Sequence, residues 1–461
     1  MKKSIPAVLL FLILLSACSQ KSADSSPVVA KVGKEKITFR ELQNSVLLNP
    51  QFSTRTPLRE VRQSQLAYLI RQAHLFLASE RVGLSKDPDI QPKLKYIREQ
   101  ETLKAFVKEK FLDSVKVSDL ELLQGTAKIN KRLKIQFVVA PSRGAADSLK
   151  DQPDGGADLT ALASKISPND SSINKRDDVG YISFGDLDPG LEEAVYSLQP
   201  NQVCDPVKVK DSYYIVKLLA IEPNPAVSSM SSQMVTQDVL EIIRNRKADK
   251  IIRAYLEKLA DGRKIQINNR VLDVLEKETR SVMGAKYDKP SIFKPAINNG
   301  ELGAIQIGII DVLKKPLARF GDQEMTVEDF MNRLKEMPPF HRPYLRTRAR
   351  MIQSIIDIIR GDMLIGEAMK AGIEKQAVAR KNIQRESRDF LSGEFQRRIA
   401  SPDYKERNPE EWQKLETALN SMVKKYPANI NEQNLFHDVQ DPDSIWVPAP
   451  VQVFLKSRYV W

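Results

Sequence analysis

Two stretches of this chain, far apart, read alike. Ala30-Lys31-Val32-Gly33-Lys34-Glu35-Lys36-Ile37-Thr38-Phe39-Arg40-Glu41-Leu42 runs parallel to Ala318-Arg319-Phe320-Gly321-Asp322-Gln323-Glu324-Met325-Thr326-Val327-Glu328-Asp329-Phe330. The match resumes where Ile70-Arg71 through Leu75 to Gly83-Leu84 lies opposite Ile359-Arg360 through Leu364 to Gly372-Ile373. Matched blocks at nearly one separation point to a duplicated unit. In the first copy Val28 to Val32 predicts a short strand, Gly33-Lys34 its turn, and Thr38 with Glu41 a capping box that opens a helix. A chain built this way folds as two related helical modules.

The rest of the pattern divides the chain. Leu66, Leu69, Ile70, Ala73 and Leu77 recur at helical spacing before Gly83 stops the run, and helical character continues to about Val115. From Arg132 to Pro223 the pattern changes to short apolar strands, Gly/Asn/Asp turns and brief helices, a separate compact unit. Helical spacing returns in Val239, Ile242, Ile243, Ile252, Tyr255 and Leu259, and Lys264 to Ile267 predicts a strand. The expected organisation is a first helical module at 28–131, an insert at 132–223 and a helix and strand returning to the first module at 224–276. A loop-rich connector follows at 277–315, then a second helical module with its tail at 316–461. The fold class is α+β, mostly helical, with an inserted α+β domain.

Lys2 and Lys3, the apolar run Ile5 to Leu15, then Ser16-Ala17-Cys18 make the pattern of a bacterial lipoprotein signal. The run is too short to span about 30 Å of hydrocarbon. Residues 1–17 are then a signal peptide, Cys18 the acylated residue and 18–27 a flexible tether. Ser19 resembles the signal for the outer membrane, so the expected location is lipid-anchored at the outer membrane, facing the periplasm. The chain carries 71 Lys+Arg against 59 Asp+Glu, a net charge of +12. In an exported protein that excess suits anionic lipid or acidic polypeptide rather than nucleic acid, or simply a solvated basic surface.

Only Cys18 and Cys204 are present, so with Cys18 acylated no disulfide closes within the chain. His74, His341 and His437 are scattered without a zinc-ligand spacing, and no phosphate loop, dinucleotide fingerprint or nucleophile elbow occurs. Neither a metal nor a cofactor is expected.

Gln136-Phe137-Val138-Val139, Asp177-Asp178-Val179-Gly180-Tyr181, the segment Gly185 to Leu198 and Ser212-Tyr213-Tyr214-Ile215-Val216-Lys217 follow one another in order. They resemble the His-Ile-Leu-Val strand, the Gly-Gly-Asp-Leu-Gly turn, the Met/Phe/Phe helix and the Gly-Tyr-His-Ile-Ile-Lys strand of parvulin-type prolyl isomerases. The chain as a whole resembles the SurA/PrsA group of exported chaperone-isomerases. The resemblance implies a proline pocket at Leu187, Leu191 and Tyr196, and a polar site of Asp170, Gln136 and Tyr214. Gln136 and Tyr214 stand where the family has its two histidines.

Such a site would lower the roughly 20 kcal/mol rotation barrier by favouring the twisted amide over the planar one. From composition alone Leu187, Leu191 and Tyr196 are core residues and Asp170 a turn residue, and both readings stand. The resemblance implies unfolded exported polypeptides, outer-membrane barrel proteins among them, as partners. The insert is then an isomerase without its histidines, or a peptide-docking domain of a non-catalytic holdase. A scaffold lipoprotein is the third alternative. The alternating tail Val453 to Trp461 suits an edge strand.

Overall fold

The computed structural model describes residues 26–48, 56–140, 142–150, 181–209, 212–228, 230–284, 296–345, 347–400, 409–441 and 446–447. The fold is α+β and mostly helical. Among the described residues no helix is long and apolar enough to cross a membrane. The described residues form two compact units, one from 26–87 and 388–447, the other from 88–387.

Strands β1 (Val28–Val32) and β2 (Glu35–Thr38) form a hairpin that turns through Gly33 at φ 59°. Thr38 N–H donates to Glu41 Oε2 at 2.9 Å and Glu41 N–H to Thr38 Oγ1 at 3.3 Å, the reciprocal cap that starts α1 (Phe39–Leu48). Helix α2 (Leu58–Arg81) follows and stops before Gly83, at φ 71°. Helices α3 (Gln91–Lys110) and α4 (Asp119–Ile129) lead into the insert. Among the described residues its elements are β3 (Lys131–Ala140), α5 (Arg143–Lys150), β4 (Tyr181–Ile182), α6 (Pro189–Tyr196), β5 (Val207–Val209) and β6 (Ser212–Pro223). The insert's sheet runs β4-β3-β6-β5, antiparallel throughout.

Helix α7 (Ser232–Ala260) is 29 residues long, about 43 Å, and leads to β7 (Ile265–Ile267), α8 (Asn269–Met283) and α9 (Asn299–Gly308). The first pattern then recurs. Hairpin β8 (Pro316–Phe320) and β9 (Gln323–Thr326) turns at Gly321, and Thr326 with Asp329 caps α10 (Val327–Glu336). Helix α11 (Arg348–Lys370) ends before Gly372, at φ 68°. Helices α12 (Ala377–Ile399) and α13 (Pro409–Lys425) and strand β10 (Ala428–Ile430) complete the second copy.

The duplicated hairpins are each closed by the other copy. Strand β10 pairs with β1 (Ala30↔Ile430, Val32↔Ala428), while β7 pairs with β8 (Ile265↔Phe320, Ile267↔Ala318). The junctions match in detail: Asn431 N–H donates to Val29 O and Asn268 N–H to Leu317 O, both at 2.9 Å, and each asparagine caps the helix after it. Helices follow the same exchange. Leu103, Phe106 and Val107 of α3 share a core with Leu364, Ile365 and Ala368 of α11. In the other unit Ser392 of α12 donates to Gln72 O at 3.1 Å and Arg388 pairs with Glu41 at 3.2 Å.

Residues 224–276 therefore do not return to the first module as expected. Helix α7 and β7 belong with the second hairpin, α3 leaves the first module at Pro88, and the second copy's last elements leave theirs at Arg388. Matched sequence locates two copies; it is silent on which copy's second half each hairpin accepts. The connector 277–315 is corrected too. It holds the end of α8, all of α9 and the buried Ile297, Leu302, Ile305 and Ile309, which pack under Leu317 and Phe330. The tail Val453 to Trp461 lies outside the described residues.

Candidate functional site

Strands β3 and β6 form the middle of the insert's sheet, in register Gln136↔Lys217, Phe137↔Val216, Val138↔Ile215 and Val139↔Tyr214. Side chains alternate between faces along a strand. One face carries Ile135, Phe137, Val216, Leu218 and Tyr214 and is covered by Leu191 and Val195 of α6. The other carries Val138, Ala140 and Ile215 and is covered by Ala146 of α5.

Leu187, Leu191, Tyr196 and Tyr214 thus join one apolar cluster. Gln136 does not. It is buried on the opposite face, across from the buried Lys217, three register positions from the partner of Tyr214. The side chain that meets Tyr214 is Phe137, with ring centroids 5.9 Å apart and planes tilted by 38°. Matching the strand one residue later, as Phe137-Val138-Val139-Ala140, puts phenylalanine at the first histidine position. Burial patterning would have favoured that register, because a one-residue slip turns every side chain to the wrong face. Asp170, the turn Asp177 to Gly180 and Cys18 lie outside the described residues.

The implied pocket residues play different parts. Leu191 is 4% exposed and forms the floor. Tyr196 is turned toward α4: its hydroxyl donates to Lys128 O at 3.3 Å, Lys128 Nζ lies 5.5 Å from its ring centre, and Lys128 pairs with Glu193 at 2.6 Å. Burial pushes the Tyr196 phenol up from its ordinary pKa. Phe137, Leu187 and Tyr214 are half-buried and form the accessible rim. Cys204 lies in the same cluster, its Sγ accepting from Val216 N–H at 3.2 Å, and burial pushes its thiol up. A depression of about 630 Å³ beside it is lined by Ala194, Leu198, Asn201, Asp205 and Val207, the last of which pairs with Tyr214.

Leu187 lies in the loop Ser183–Asp188. Asp186 accepts from Ser183 N–H at 2.7 Å, and Asp188 caps α6 by accepting from Gly190 N–H at 3.1 Å. Helices α4 and α7 carry this edge of the insert. They touch at Gly125, where a Cβ would stand 2.4 Å from Val239 Cγ1, closer than any side chain could be accommodated without a shift. Phe184 packs with Val235, Val239 and Ile243 of α7. Glu192 of α6 is 1% exposed and takes both terminal nitrogens of Arg246 of α7, at 2.7 Å each.

Among the described residues no three His, Cys, Asp or Glu side chains converge on a metal-sized space. The histidines have structural contacts instead. His74 Nε2 bonds Tyr426 O at 2.9 Å, His437 stacks edge-on against Phe39 at 4.4 Å, and burial lowers the pKa of His341.

Residues 140–220 match the family model of the rotamase, PPIC-type PPIASE domain. The foldase protein PrsA of Geobacillus kaustophilus is 25% identical over 285 residues, 60% of this chain and 99% of that protein. The parvulin-like PPIase of Rickettsia bellii is 26% identical over 187 residues, 39% of this chain and 66% of that protein. Among solved structures, the peptidylprolyl isomerase PrsA of Bacillus anthracis is 17% identical, covering 42% of this chain and 96% of its own, with a TM-score of 0.24. The insert is a PPIC-type parvulin domain, and the chain is a relative of the PrsA and parvulin-like proteins.

Proposed function

We propose that this relative of the parvulin foldases is a lipid-anchored chaperone for unfolded exported polypeptides, outer-membrane barrel proteins among them, whose parvulin domain docks proline-containing segments and isomerises them slowly. The observation that carries this reading is the rim itself. Phe137 meets Tyr214 at 5.9 Å, and both pack against the buried cluster that holds Leu191, an apolar, aromatic surface suited to a proline ring. No histidine stands there to tune a proton near neutral pH, so binding outlasts turnover. Asp170 remains the carboxylate proposed to contact the substrate amide, and Gln136, on the far face, is assigned no contact with peptide.

The deciding experiment measures binding and cis/trans exchange of a proline tetrapeptide by the full chain, beside Phe137→His/Tyr214→His. The wild type should bind and exchange slowly, and the double variant should gain at least tenfold in rate. Rapid wild-type exchange, unchanged by that replacement, would refute the docking reading. Anchoring is proposed to reside in Cys18 acyl chains: a Cys18→Ser protein should be released by salt, and one that stays with membranes contradicts the anchor.

A further inference from the structure

The loop bearing Leu187 is held from outside the parvulin domain. Gly185 stands at φ 94°, and a Cβ there would sit 3.1 to 3.3 Å from three carbons of Ile242 on α7, so the loop backbone lies flat on that helix. Arg246, one turn further along α7, reaches past Ile242. Its guanidinium lies 4.9 Å from the Phe184 ring centre, pairs with Glu192, and donates through Nη2 to Leu187 O at 3.2 Å. Glu192 Oε2 in turn accepts from Gly185 N–H at 2.7 Å. The backbone on both sides of the Leu187 side chain is therefore tied to one ion pair, half of which belongs to α7.

Resting on the docking reading above, we infer that Arg246 is a positioning residue for the peptide rim: it fixes Leu187, which packs against the same buried cluster as Phe137 and Tyr214, and makes peptide affinity a joint property of the parvulin domain and helix α7. The pair is well suited to this. Two parallel N–H···O bonds fix orientation as well as distance, which a lysine's single point charge cannot do. Glu192 is 1% exposed, so losing Arg246 would leave a buried carboxylate with only the Gly185 N–H, and the loop must move to hydrate it. Helix α7 also places Ile252 in the core shared with Leu364, Ile365 and Ala368. The rim is thus braced by a helix whose other end is embedded in the helical body of the same unit.

The test uses the full chain with methyl-labelled leucine. Arg246→Met should shift the Leu187 methyl resonances and weaken a proline tetrapeptide about tenfold, while Arg246→Lys recovers part of both. Glu192→Gln should give the same signature from the other side of the pair, and it decides the matter if Arg246→Met loses helical circular dichroism. Arg244→Met, an exposed neighbour on the same helix, should change neither. Unmoved Leu187 methyls, or unchanged affinity despite moved ones, would overturn the inference. If the wild type binds no proline peptide, the docking reading falls, while the methyl shifts still decide whether Arg246 positions the loop.

Discussion

Replacing Glu99 by arginine should destabilise this protein, and the sign of that effect tests the exchange of halves. Counted from Gly83 and from Gly372, Glu99 on α3 and Arg388 on α12 hold the same position in the two copies. Their charges are opposite, and so are their partners. Glu99 bonds Arg333 of α10 at 2.6 Å, whereas Arg388 bonds Glu41 of α1 at 3.2 Å. If α3 stayed with its own hairpin, position 99 would approach Glu41, and arginine would be the better residue there. In the observed arrangement arginine would instead confront Arg333.

The magnitude follows from burial and from what remains. The Glu99 and Arg333 side chains are 10% and 18% exposed, so screening is modest. Arg333 keeps Glu336 at 3.0 Å and also Asp362, so Glu99→Gln does not strand a buried cation. It loses one charge-assisted bond, about 2 kcal/mol, rather than the roughly 3–5 kcal/mol of breaking an isolated buried pair. Glu99→Arg adds like-charge repulsion and should cost more, about 3–4 kcal/mol. Thermal unfolding followed by circular dichroism measures both, and hydrogen exchange of peptides from 91–110 localises the loss to α3. A stabilising Glu99→Arg would refute the exchange, and a Glu99→Gln effect below about 0.5 kcal/mol would show that the pair does not hold the helix.

Leu191→Ala should cost about 2–5 kcal/mol of stability by denaturant unfolding, because the side chain is 4% exposed, while the half-buried Leu187→Ala should chiefly weaken proline-peptide binding. Asp438 accepts from both Arg62 nitrogens, at 2.7 and 2.8 Å, and those bonds hold its carboxyl below the usual range. Its stabilisation is therefore fully present above the ordinary carboxylate pKa and is lost as pH falls through the depressed one. Asp438→Asn should cost about 1 kcal/mol at neutral pH, a difference that shrinks in acid, as fluorescence-monitored unfolding would register. The buried Cys204 thiol, its pKa raised, should react with a disulfide reagent only at the rate of local opening; rapid labelling of the native protein would contradict that burial.

Features set by neighbouring residues were legible in the sequence. Thr38 with Glu41, Gly33 and Gly83 act over a few positions, so hairpin, cap and helix end could be placed without knowing what packs above them. The order of strands and helix in the insert was legible for the same reason. What was not legible depends on a distant partner. Whether Gln136 or Phe137 faces Tyr214 is settled by the β3/β6 register, and the motif match slipped by one residue. Leu191 and Tyr196 carry the right residue types for a pocket, yet one is floor and the other is drawn to the Lys128 carbonyl of a helix outside the motif. Arg246 has no motif at all; only α7 lying against the insert gives it a role.

The exchange also bears on how the two copies divide their work. Within the first copy the parvulin domain is inserted between α4 and α7, and both helices belong to the unit built on the second hairpin. The second copy has only a short connection, 400–408, between α12 and α13 at the comparable place. One unit therefore carries the parvulin domain braced by its own long helix, and the other has the same hairpin-and-helix plan without one. Duplication alone would have yielded two equivalent modules. The one-sided insertion makes them unequal, while each hairpin takes its third strand from the other copy. On the proposed function, a proline-containing segment docks on the second-hairpin unit.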